Sequence, residues 1–79
     1  MIDPQALAEE ERRIRELSRT VDLALLYLQA APLDREQAQE LVRRVRAKAM
    51  RLFPDKAATF DLIYQPRFRR VLVKRFGLN

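Results

Sequence analysis

The sequence predicts an all-α fold, a small helical bundle of three to four helices led by a long N-terminal one. Apolar residues recur at helical spacing in every segment, and no alternating strand pattern interrupts them. The four prolines, Pro4, Pro32, Pro54 and Pro66, fall at the segment boundaries, where a fixed φ and a missing N–H are tolerated. The single glycine, Gly77, follows the last segment, the position a left-handed helix cap requires.

The first helix is expected over about residues 4–30. Asp3 is placed to cap it, and Pro4 takes the first helical position, where the N–H would have no partner in any case. Leu7, Ile14, Val21 and Leu28 recur every seven residues, with Leu17 and Ala24 between them. This is a heptad seam, broken early by Glu10. Before Val21 the apolar stripe is narrow and charged residues fill the remainder. After it, Leu23 to Leu28 cover most of the circumference. A narrow stripe suits one partner helix, and a wide one suits burial on several sides. The C-terminal half is therefore expected in the core. The N-terminal half of this helix, roughly 40 Å long at 1.5 Å per residue, is expected to project beyond it.

The second helix is expected over about 35–52. Asp34 and Gln37 have the spacing of a reciprocal capping box. Ala38, Leu41, Val42, Val45, Ala49 and Leu52 form its apolar face. Phe53-Pro54-Asp55 ends it, and a short third helix over about 56–64 turns Phe60, Ile63 and Tyr64 inward. Gln65-Pro66 interrupts again. A fourth helix over about 66–76 places Phe68, Val71, Leu72 and Phe76 on one side and closes at Gly77. Arg75 falls by helical angle within that apolar side. It therefore needs a carboxylate or carbonyl partner, with Asp22 and Glu16 as candidates, unless its head snorkels to water. Tyr64 and Gln65 are expected to turn polar groups toward the loop backbone.

At 79 residues the chain reads as one domain. A core this small supplies about 3–5 kcal/mol, and partners commonly add to it. There is no cysteine and no histidine, which removes thiolate sites and the commonest metal ligand and general base. The absence of cysteine is compatible with a cytoplasmic protein. The acidic, polar opening is unlike a secretory leader. The longest apolar stretch, Val21 to Leu33, is too short to span a bilayer. Ser18 is the only serine and has no base to activate it. Glu9 to Glu11 and the pair Glu36 and Glu40 fall on polar helix sides. The chain is therefore expected to be non-enzymatic, with no metal and no cofactor.

Function has to reside in surfaces, and the charge distribution indicates where. Residues 1–40 carry five basic against nine acidic residues, a balance of −4. Residues 41–79 carry eleven basic residues against Asp55 and Asp61, a balance of +9. The expected function is a protein–protein interaction module that self-associates, as a homodimer or within a larger protein assembly, through Leu7, Ile14, Leu17 and Val21 of the seam. Opposite charge on the two halves favours specific docking. The alternative is a nucleic-acid-binding accessory protein that contacts the phosphate backbone with weak sequence specificity through Arg43, Arg44, Arg51, Arg67, Arg70 and Lys74. The fourth helix offers arginine and lysine but almost none of the Asn, Gln or Ser side chains that read base edges. A membrane partner is not expected, because a chain this small needs the apolar side of its last helix for its own core.

Overall fold

A computed structural model describes residues 3–77, which form four helices. The order is α1 (Pro4–Ala30), α2 (Arg35–Leu52), α3 (Ala57–Ile63) and α4 (Gln65–Phe76). Local chemistry fixes most of their ends. The Asp3 carboxylate accepts from the Gln5 N–H at 3.1 Å, and Pro4 follows at the first helical position. At α2 the Gln37 N–H donates to Asp34 Oδ1 at 2.8 Å, and the Asp34 N–H donates to Gln37 Oε1 at 3.0 Å. Both halves of the capping box are therefore made. Gly77 sits at φ 68° and closes α4 in the left-handed region, where a residue with a Cβ is disfavoured. α3 has no side-chain cap. Tyr64 ends α3 and starts α4, so the two form one bent unit.

The core draws on all four helices. α1 contributes Val21, Ala24 and Leu28, α2 contributes Ala38, Val42, Val45 and Ala49, and Phe60 and Phe68 enter from α3 and α4. Alanines on α1 and α2 let the two backbones approach closely, and the rings of Phe60 and Phe68 fill the space beyond. The ring centroids of Phe60 and Phe68 lie 6.5 Å apart, and those of Phe60 and Tyr64 lie 5.3 Å apart. Leu28 and Phe68 are fully buried, and burial of each contributes about 1.5–3 kcal/mol.

α1 packs on α2 and α4, whereas α3 packs on α2 and α4 but has no close backbone approach to α1. The molecule is accordingly elongated, with extents of 49 × 22 × 16 Å and a radius of gyration of 14.3 Å. A compact chain of this length has a radius of about 12 Å. Every residue from Asp3 to Arg15 is exposed, so the first three turns of α1 form an arm beyond the core.

Four sequence expectations need correction. The C-terminal half of α1 is buried on one side only: Leu23, Leu26 and Tyr27 are 60%, 61% and 54% exposed. α2 and α4 cover one face of this segment, and no fifth element covers the other. Ile63 shares the Phe60 side of α3 but stays 49% exposed rather than buried, because α1 does not close on α3 and the side chain borders the open cavity left between them. Arg75 does find partners, but they are carbonyls rather than Asp22 or Glu16. It donates to the Leu28 carbonyl at 2.5 Å and to that of Ala31. α1 has no basic residue in its own last turn, so Arg75 supplies from α4 the positive charge that its C-terminus attracts. Tyr64 sets its ring against that of Phe60 at a tilt of 37°, and Gln65 adds to the lowering of the Asp61 carboxyl by Arg46; neither turns to the loop backbone.

Candidate interaction surfaces

Two kinds of surface remain once the core is formed, one apolar and one basic. The apolar surface begins on the arm. Leu7 and Ile14 are 44% and 49% exposed, Leu17 is half-buried, and Val21 is 1% exposed within the core. The seam therefore divides, and the part open to a partner ends at Leu17. At that end it meets an apolar cavity of about 180 Å³. Ile14 and Leu17 form one wall; Met50, Phe53, Phe60 and Ile63 form the other. The cavity exists because α1 and α3 do not close on each other. Arg13 lies beside it, with its guanidinium carbon 5.6 Å from the centroid of the Phe53 ring.

A second apolar surface lies on the opposite side of α1. Leu23, Leu26 and Tyr27 border a shallow hollow of about 710 Å³ that reaches across to Leu41 and Val45 of α2. The apolar run over residues 23–28 signalled this surface, but nothing in one chain indicates how many neighbours such a run will have. Phe53 and Ile63 belong to the first cavity; from the sequence Phe53 is only part of the break after α2 and Ile63 is expected inside, since each sits in a short segment without a readable period.

The basic half sorts into residues that hold the fold together and residues that do not. Arg46 makes a two-pronged ion pair with Asp61 at 2.8 and 2.9 Å and ties α2 to α3. Lys48 meets Glu16 at 2.8 Å and ties α2 to α1. Arg43 and Arg44 share Glu40 along α2, at 2.8 and 3.2 Å. Arg35 donates to the Phe76 carbonyl at 3.1 Å, so an arginine from elsewhere in the fold reaches the C-terminal end of α4 as well as that of α1. These contacts shift the groups involved. The hydrogen bond from Lys48, then its charge, hold the Glu16 carboxyl below the usual range. Arg43 first and then Arg44 do the same for Glu40. Arg46 lowers Asp61 and is itself raised.

The six residues expected to meet a polyanion are all exposed, but they are not equivalent. Arg43 and Arg44 are partly neutralised by Glu40. Arg51, Arg67, Arg70 and Lys74 have no carboxylate partner among the described residues, and neither has Arg69. Arg67 leans over the Tyr64 ring at 5.9 Å. Arg69, Arg70 and Lys74 border an open hollow with Pro66 and Val73.

Ser18 is exposed on α1. Among the described residues no group of three His, Cys, Asp or Glu gathers as a metal site, and no helix is long and apolar enough to cross a membrane. Comparison with protein-family models, with curated proteins and with solved structures finds no match.

Proposed function

We propose that this chain is a non-enzymatic protein–protein interaction module that self-associates through the apolar stripe of the α1 arm. One observation carries the reading: Leu7 and Ile14 stand exposed on a helix whose first three turns run out past the core and leave that stripe open. An isolated helical segment of that length is marginal in water. Its apolar stripe gains from a second helix, and burying two such side chains on each of two copies contributes several kcal/mol at about 25 cal/mol per Å². The test replaces Leu7→Glu and Ile14→Glu together and follows mass by sedimentation across a concentration series. The expected result is loss of the oligomer with the thermal transition of the core retained. An oligomer that survives both changes overturns the reading.

A second reading has its own supporting observation. Among the described residues the cations of α4 lack carboxylate partners, whereas most of those on α2 have them. Such a face suits a phosphate backbone. Binding of labelled single- and double-stranded nucleic acid, followed by anisotropy, would then fall with salt at a slope near 0.9 per phosphate neutralised on a duplex. Arg70→Glu with Lys74→Glu would reduce that slope by about 2. A seam-driven dimer is insensitive to the same salt series.

A further inference from the structure

We propose that the cavity between α1 and α3 binds a small aromatic monocarboxylate, its ring among Ile14, Leu17, Met50, Phe60 and Ile63 and its carboxylate at the rim with Arg13 and Lys56. Such a site needs only one copy of the chain, so it stands apart from self-association.

The lining sets the body of the ligand. Both walls are apolar, and the rings of Phe53 and Phe60 and the thioether of Met50 stand among them. Ring edges and a polarizable sulfur suit an aromatic guest. The volume sets its size. An apolar cavity of roughly 150 Å³ holds benzene, and the one here, about 180 Å³, admits one ring with a short spacer. The space is left by the fold itself, because α1 and α3 make no close backbone approach.

Charge sets the head group. Among the described residues no Asp or Glu lines the cavity, whereas Lys56 does. Arg13 lies beside it, with its guanidinium carbon 5.6 Å from the centroid of the Phe53 ring. The Lys56 N–H donates to the Phe53 carbonyl at 3.1 Å, so both cations gather around Phe53. Glu9 precedes Arg13 by one turn, the order and spacing that ordinarily give a helical ion pair. That pair is not made, and neither Arg13 nor Lys56 has an ion-pair partner among the described residues. A guanidinium over a ring still presents N–H donors along its edge. Thr59 adds a hydroxyl to the same cavity. Apolar walls beneath two unpaired cations match a ligand with a ring at one end and an anion at the other.

The probes are phenylacetate and its uncharged isostere phenylacetamide, titrated into the full chain and followed by amide shifts. The expected result is saturable shifts at Leu17, Met50, Phe60 and Ile63, with phenylacetate about fivefold the tighter, as suits a head group held by solvent-exposed cations. Arg13→Gln with Lys56→Gln, both at exposed positions, should erase that preference and leave phenylacetamide binding unchanged. Ile63→Trp fills the cavity and should abolish binding of both probes. Ile63 is 49% exposed, so this variant should melt like wild type. Equal affinity for the two probes, or a preference that survives loss of both cations, removes the carboxylate from the rim and overturns the proposal. Shifts centred on Leu23, Leu26 and Tyr27 overturn it as well, since they report adsorption on the open face of α1. So does the absence of saturable shifts with millimolar phenylacetate.

Discussion

The two halves of α1 follow the same seven-residue spacing and meet opposite fates. Val21 and Leu28 are sealed in the core, whereas Leu7 and Ile14, two heptads and one heptad before Val21, are 44% and 49% exposed. Nothing in the spacing separates them. The difference lies in reach. α1 has 27 residues, α2 has 18 and α4 has 12, about 40, 27 and 18 Å. Neither shorter helix extends far enough to cover the arm, so the covered part of α1 ends near Leu17. Periodicity reports which face of a helix wants burial; the lengths of its neighbours decide how much of that face obtains it. An apolar stripe left without cover within one chain is therefore the natural place to look for a second.

The sharpest way to break this comparison is to remove the same side chain from each half. Leu28→Ala deletes a fully buried leucine, and such changes cost about 2–5 kcal/mol. A core that supplies about 3–5 kcal/mol would lose most of its stability, and circular dichroism at 25 °C should show a largely unfolded chain. Leu7→Ala, measured at a concentration where the chain is monomeric, should change stability by no more than about 0.5 kcal/mol. If the two substitutions cost the same in the monomer, the arm is part of the core and the contrast fails.

A smaller effect is expected at the point where the covered half of α1 ends. Arg75 donates to the carbonyls of Leu28 and Ala31, and its guanidinium carbon lies 5.0 Å from the centroid of the Phe76 ring. Arg75→Met keeps the stem and removes the donors. Leaving part-buried carbonyls without them costs about 1–3 kcal/mol, seen as a lower thermal midpoint and faster amide exchange over residues 31–33. Arg75→Lys should recover part of the loss, since one ammonium cannot span both carbonyls as a guanidinium does. Arg69→Met, at a position with no carboxylate partner, should change stability by about 0.5 kcal/mol or less.

These residues also mark what was legible in the sequence. Helix ends were, because a cap is a contact between residues two to four apart: Asp3 with Gln5, Asp34 with Gln37, and Gly77 on its own backbone. The fold class was, because the apolar residues of α2 and α4 keep one face through successive turns. The exposure of Leu23, Leu26 and Tyr27 was not, since burial of a wide apolar helix depends on how many neighbours arrive. The partner of Arg75 was half legible. Its position in an apolar face required an acceptor, but a search among carboxylates overlooked the carbonyls at the end of α1, and Glu16 was already engaged by Lys48. In the basic half, charge was legible and pairing was not. Arg43 and Arg70 read alike in the sequence, yet among the described residues only Arg43 of the two has a carboxylate beside it.

The smallest effect, and the one that sharpens the boundary between the two halves of α1, is the response to acid. Glu16 and Lys48 form the last ion pair on α1 before the arm departs, and the Arg46–Asp61 pair secures α3 on the far side of the cavity. Both carboxyls are held below their ordinary range by these cations. A carboxyl depressed in the folded state contributes its full stability above its unfolded pKa, roughly pH 4, and loses it as pH falls through the lower folded value. The thermal midpoint should therefore be flat from about pH 8 to pH 5, because the chain has no histidine to titrate there. It should then decline as pH drops below about 4. Both pairs are open to solvent, so salt screens them, and the decline should shrink at about 1 M, where the screening length is near 3 Å. Lys48→Met should flatten the same limb by removing the group that depresses Glu16. A midpoint that stays level through pH 3 in low salt would mean that these pairs do not hold the boundary, and that apolar packing alone determines where the arm begins.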